Sequence, residues 1–182
     1  AEVYVLDVNL NRLGYLYDIF RGELNTLYSN HANISRAVRG SDLLIGAVYM
    51  SGRRAPTLVT ESMVASMEPG SVVVDVSVDQ GGCIETIHPT THSDPTFEVH
   101  DVIHYGVANM PGAVPRTSTF ALNNATLRQC IALADKGARA ALLDDEHLLE
   151  GLNVHRGMVT YEEVARDLGY DYTPPREALQ TP

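Results

Sequence analysis

Residues 72 to 86, VVVDVSVDQGGCIET, constrain the fold more than any other stretch of the chain. Five of the first seven residues are Val, whose branched side chains suit a pleated, buried surface. An apolar run of this kind reads as a strand covered on both faces, as in a parallel sheet. It passes straight into Asp79, Gln80, Gly81, Gly82, Cys83 and Glu85. A core strand ending in an acid, an amide and two glycines delivers polar groups and pliable backbone to one end of a sheet. In open α/β sheets that end is where ligands bind.

The stretches before it follow the same rhythm. AEVYVLD reads as a buried strand ending in Asp7, and VNLNRLGYLYDIF as a helix with Leu10, Leu13, Leu16, Tyr17 and Phe20 at helical spacing, capped by Asn9 or Asn11. LNTLYSN is a short strand, NISRAV a helix closed by Gly40, and DLLIGAVYM a strong strand. SGRRAPTLV is a loop, and TESMVASME a helix capped by Thr60 and stopped at Pro69-Gly70. Strand–helix alternation with short connections predicts right-handed crossovers on a parallel sheet, with helices on both faces. Asp7, Val48-Tyr49 and Asp79 then stand at carboxyl ends of strands. Ala1 is followed by a strand already under way at Val3, so the chain reads as a piece of something longer.

Past residue 86, IHPTTHSDPTFEVHD reads as a loop, and VIHYGVANM as a further strand ending in Asn109-Met110-Pro111-Gly112. TSTFALNNATLRQCIALADK predicts a long helix from Thr117 to about Lys136, with Leu122, Leu127, Ile131 and Ala134 along one face. Two short helices follow, near LLDDEHLL and TYEEVARDLG, with GLNVHRGMVT as a surface connection and YTPPREALQTP as a tail. This segment reads as strandless, and a boundary is expected near residues 112–117.

The bulk properties narrow the function. A formal charge of −10 argues against nucleic acid or an anionic membrane as the main partner, since both call for clustered Lys and Arg. The two cysteines, Cys83 and Cys130, form no CxxC, and no apolar run approaches a bilayer span, so a cytoplasmic location is expected. His88, His92, His100 and His104 lie near Cys83, Asp94 and Asp101, but Pro89 and Pro95 deny the first HxxxH pair a helical turn, and no metal is expected. Arg53 and Arg54 read as a solvated loop.

Each acid has two readings on the residues alone. Asp7 stands where dinucleotide-binding sheets place the acid that bonds the ribose hydroxyls, or it caps the next helix. Asp79, with two glycines behind it, orients water or a substrate amine, or is a solvated turn acid. No GxGxxG occurs in the 182 residues.

Three stretches together, LVTESMVASMEPGSVVVDVSVDQGGCIET, TTHSDPTF and HYGVANMPGAVPRTSTFALNNATL, resemble the alanine dehydrogenase / pyridine nucleotide transhydrogenase family, and within it the bacterial alanine dehydrogenases. The resemblance runs from residue 1 to about 175. Transhydrogenase subunits typically carry Glu and Asn where this chain has Asp79 and Cys83, and the aspartate favours the alanine enzymes. The resemblance implies an α/β fold. Residues 1–114 form a partial Rossmann-like NAD-binding sheet without its first strand and Gly-rich loop, and residues 115–182 a connecting helix and the C-terminal part of the substrate domain.

The same resemblance implies NAD as cofactor. Asp7 matches the ribose-binding acid, Arg12 a basic neighbour, and Ser29, Val48 and Tyr49 the surroundings of the adenine. Val76, Ser77, Val78 and Asp79 match the nicotinamide-side loop, and Val107, Ala108, Asn109 and Met110 a second loop over that ring. Asp79 carries over as the catalytic acid, and His88 falls where relatives often place a basic residue. The likeness to the alanine dehydrogenases implies oxidation of L-alanine to pyruvate and ammonium, by a homo-oligomer expected to be a hexamer. The family pattern also calls for an Arg, a Lys and a catalytic His in an N-terminal half. Those elements are not in this chain, which by itself is expected to bind NAD weakly and to leave alanine unoxidised. A non-catalytic nucleotide-binding remnant and a transhydrogenase-type subunit are the alternatives.

Overall fold

A computed structural model describes residues 1–180 of the chain. The chain divides into two compact units, one of residues 1–49 and 55–108, the other of residues 50–54 and 109 onward.

In the first unit, β1 (Tyr4–Asp7), α1 (Leu10–Ile19), β2 (Asn25–Tyr28), α2 (His31–Arg39), β3 (Leu43–Gly46), α3 (Glu61–Val64) and β4 (Val72–Asp75) follow one another. Each helix starts where a polar side chain can accept an otherwise unpaired backbone N–H. Asn9 accepts from Arg12 N at 3.0 Å, Asn30 from Asn33 N at 2.9 Å, and Thr60 from Met63 N at 3.3 Å. Gly40 closes α2, with Arg36 and Arg39 in its last turn, where the carbonyl end favours cations.

β1 and β2 pair in parallel, Asp7 facing Tyr28. A second sheet has the order β3-β4-β6-β5, with β5 (Thr96–Val99) and β6 (Val102–Tyr105) completing it. Its first three strands are parallel, and β5 runs antiparallel at the edge. One core serves both sheets. Ile34 and Val38 of α2 meet Met63, Val64 and Met67 over Val73 and Val102, and Leu6 of β1, Leu44 of β3 and Val48 join them. Burying a side chain of this kind contributes about 1.5–3 kcal/mol. The alternate residues of β3, Leu43 and Ile45, stay exposed, so helices cover one face of that strand rather than the two expected.

Three elements differ from the sequence expectation. The Val-rich strand stops at Asp75, and Val76–Gln80 winds into a 3-10 turn. Likewise β3 stops at Gly46, two residues short of Val48. The stretch read as a proline loop contains β5, joined to β6 through His100 and Asp101 at φ 55° and 60°. Two positive φ values in a two-residue hairpin loop are the type I′ geometry that follows strand twist, reached here without the usual Asn-Gly.

The second unit opens with a 3-10 turn, Met110–Ala113, and α4 (Pro115–Lys136), which starts two residues before the expected Thr117 because Pro suits a first helical turn. None of the described residues of α4 is buried, and Phe120, Leu122, Leu127 and Ile131 are exposed. α5 (Ala138–Asp144), α6 (Glu146–Glu150), α7 (Glu162–Leu168) and α8 (Pro175–Ala178) follow. Leu142, Leu149 and Leu179 form their small core. The expected surface connection is a hairpin, β7 (Val154–His155) and β8 (Met158–Val159), turned by Arg156 and Gly157 at φ 49° and 84°. The expected tail carries α8, whose Ala178 is fully buried; Thr181 and Pro182 lie outside the described residues. Residues 50–54 are fastened within this unit by Ser51 Oγ to Tyr161 OH at 2.8 Å and Arg53 to Asp167 at 3.8 Å.

Candidate functional site

The parallel strands of the first unit set their carboxyl ends toward a run of loops. At the end of β1, Asp7 Oδ1 accepts from Asn9 N at 2.8 Å, so the acid shapes the entry to α1, while the cap itself is Asn9. Ser29 follows β2 and donates its N–H to the Asp7 carbonyl at 3.0 Å, which brings these two residues together. Arg12 sits one turn into α1 with its guanidinium 5.1 Å from the centre of the Tyr15 ring, a cation–π contact on the exposed face.

Beyond β3 and β4 the two loops are laced by one side chain. Ser77 Oγ accepts from Val48 N at 2.7 Å and donates to Val48 O at 2.8 Å. Tyr49 and Val76, 76% and 50% exposed, face a cleft of about 250 Å³ that Ala47, Val48, Ser77 and Gln80 also line. Asp79 is exposed on the 3-10 turn, while Val78 beside it points into the core. Beyond β6, Val107 is fully buried and Ala108 N donates to Thr90 O at 3.2 Å. Val78 and Val107 are thus both closed off from solvent in this structure. Asn109 and Met110 belong to the second unit, Asn109 in the left-handed region at φ 55°.

Sequence reasoning passed over Asp75, the last residue of β4. Its carboxylate is fully buried. Oδ1 accepts from Ser77 N at 2.8 Å, and Oδ2 from Cys83 N at 2.7 Å and Ile84 N at 3.2 Å. The Cys83 thiol lies 3.7 Å from Oδ1 and donates to it. Burial, and then the neighbouring Asp75 charge, push the Cys83 thiol up to about 11. Gly82 takes φ 77°, and a Cβ there would stand 2.3 Å from Ile87 Cγ2 and 3.0 Å from Asp75 Oδ2. The signal was present in VVVD: an acid inside a buried strand must find donors nearby, because an unpaired buried charge is costly.

The histidines do not gather. His104 is fully buried, its Nδ1 donating to Val102 O at 2.9 Å and its Nε2 accepting from Thr86 Oγ1 at 2.7 Å. Val102 O can only accept, which fixes that tautomer. Burial lowers the His104 pKa. His88 stacks on Phe97, ring centres 3.7 Å apart. Among the described residues no group of three or more His, Cys, Asp or Glu could hold a metal ion.

An open, mostly parallel sheet with helices between its strands, and polar loops at their carboxyl ends, defines a Rossmann-like α/β domain. Residues 1–162 match the sequence profile described as alanine dehydrogenase/PNT, C-terminal domain, and the chain belongs to that family. It is 58% identical to the alanine dehydrogenase of Bacillus subtilis (strain 168) over 99% of its own length and 48% of that relative's. Against the alanine dehydrogenase of Methanococcus maripaludis the figures are 54%, 98% and 48%. Among solved structures, an L-alanine dehydrogenase superposes with a TM-score of 0.81 at 52% identity, covering 93% of this chain and 46% of that one. The transhydrogenase from Sinorhizobium meliloti gives 0.58 at 29% identity, covering 66% and 33%. The chain spans about half the length of the curated relatives it matches. No helix among the described residues is long and apolar enough to cross a membrane.

Proposed function

We propose that this chain is the NAD-binding part of an NAD-dependent alanine dehydrogenase, which converts L-alanine, NAD⁺ and water to pyruvate, ammonium, NADH and a proton. The observation that carries the reading is the Val76–Gln80 turn, which presents Asp79 at the end of β4 in a chain 58% identical to a named alanine dehydrogenase. The residues fit the cofactor. A carboxylate at the end of β1 suits a ribose diol and repels a 2′-phosphate. The exposed Tyr49 and Val76 give the neighbouring cleft an apolar wall suited to a planar ring. Ser77 and Ala108 belong to the loops on the nicotinamide side, with Asn109 and Met110 following in sequence; Arg12 is a basic neighbour of the nucleotide, and Ser29, Val48 and Tyr49 surround the adenine. When bound, NAD⁺ supplies the acceptor for the two electrons that leave the alanine Cα.

The protein's own part is orientation and charge. With the amine neutral, the Cα–H bond breaks and its hydrogen departs with both electrons as hydride, leaving an iminium to which water adds before the C–N bond breaks. The Asp79 carboxylate stabilises the developing positive charge and orients the attacking water, then takes its proton. The reading extends to a homo-oligomer, a hexamer by the family resemblance, and to a cytoplasmic location.

The test is NADH formation from L-alanine by the protein at its full natural length. Asp79→Asn is expected to lower kcat by about 10²–10⁴-fold, the range for losing a positioned proton-transfer group, while NADH still binds. Undiminished turnover in that variant would sink the assignment of Asp79.

A further inference from the structure

We propose that Asp75 is a positioning residue for the reaction: its buried carboxylate staples the two ends of the Val76–Gly82 loop and so sets where the Asp79 carboxylate stands. The inference rests on the reading of Asp79 given above.

Two oxygens of one side chain reach both ends of that loop. Oδ1 holds Ser77 N at 2.8 Å where the 3-10 turn begins, and Oδ2 holds Cys83 N at 2.7 Å and Ile84 N at 3.2 Å where the loop returns to the core. The thiol of Cys83 makes the fourth contact, at 3.7 Å. All four donors are neutral, so the carboxylate is balanced by loop dipoles alone, and any shift of the loop costs it partners. The surroundings are shaped to admit it. A Cβ on Gly46 would stand 2.6 Å from Cys83 Sγ and 3.3 Å from Asp75 Oδ1, and one on Gly82 would stand 3.0 Å from Asp75 Oδ2. Ser77, held by Asp75 through its N–H, passes the constraint to the β3 side through its hydroxyl on Val48. Asp79 lies inside the closed loop, four residues from the staple, on a turn whose start and finish Asp75 fixes.

A bond network that sets position acts on catalysis only through the group it positions. Asp75→Asn keeps the side-chain shape but turns one acceptor into an NH₂ that faces backbone N–H groups. The protein at its full natural length is compared as parent, Asp75→Asn, Asp79→Asn and the double variant, with kcat, the KM for alanine and the Kd for NADH measured in each. Asp75→Asn is expected to lower kcat about 10- to 100-fold, as small displacements of reacting groups do, with KM for alanine little changed and the Kd for NADH raised by a much smaller factor, because Val76 and Ser77 of the same loop face the cofactor. In the Asp79→Asn background the same change is expected to alter the residual rate by less than about two-fold, the scatter of independent sites. Equal losses with and without Asp79 overturn the proposal, as does a single-variant kcat within about two-fold of the parent. Full activity in Asp79→Asn instead overturns the underlying reading of Asp79. Should Asp75→Asn fail to fold, Cys83→Ala, which removes the thiol donor to Asp75 Oδ1 and leaves the backbone bonds, takes its place in the same cycle with the same expected pattern.

Discussion

Around the candidate site, single side chains are held in states that solution measurements can read. His104 is the plainest. Its ring is buried, donates to Val102 O and accepts from Thr86, and burial lowers its pKa. The unfolded chain takes up that proton near the ordinary imidazole value of 6.5, and the folded chain only at lower pH. Its contribution to stability is therefore complete above that value and is lost as pH falls through it toward the lowered folded value. His104→Gln, compared by urea unfolding near neutrality and in mild acid, is expected to cost about 1–3 kcal/mol near neutrality through the lost bonds. It is also expected to flatten the acid-side decline. A decline as steep as the parent's would place that sensitivity on another group. At this scale the sequence was only partly legible. Asp79 drew notice because glycines follow it. Asp75 did not, because a run of valines hides an acid whose partners lie two, eight and nine residues later.

Elements were legible where a helix cap or an apolar period marked them, as at Asn9, Thr60 and the Val-rich strand, whereas the Asn30 cap of α2 went unread. The two hairpins escaped because their turns use His100-Asp101 and Arg156-Gly157, neither of which is the Asn-Gly or Asp-Gly pair that marks a two-residue hairpin turn. The strand after Val72 was read four residues too long because Val76 and Val78 continue the alternation that Asp75 interrupts by bonding Ser77 N. β6 gives this scale its test. It leads into Gly106, where a Cβ would stand 2.6 Å from the carbonyl oxygen of His88. Backbone cannot swing aside as a flexible side chain can, so Gly106→Ala is expected to destabilise the first unit by about 1–3 kcal/mol. A melting temperature equal to the parent's would show that the His88 segment yields at little cost.

For the molecule as a whole, the decisive fact is length: these residues match about half of each relative. Leu43 and Ile45 of β3 and the apolar residues of α4 stay exposed in the described chain. The 182 residues by themselves are expected to bind NADH weakly and to form no NADH from L-alanine, in a titration and a turnover assay run side by side. Measurable turnover by the isolated chain would mean that the alanine-binding groups lie within it. The path of the chain adds a last consequence. It leaves the first unit after Tyr49, returns at Ala55 and leaves again after Ala108, so the boundary is crossed three times. Genetic exchange with a related dehydrogenase through a single junction after Ala108 would therefore separate residues 50–54 from Tyr161 and Asp167, the partners they hold. The five-residue excursion makes the two units poor modules for recombination, and their inheritance as a pair is written into the thread of the backbone.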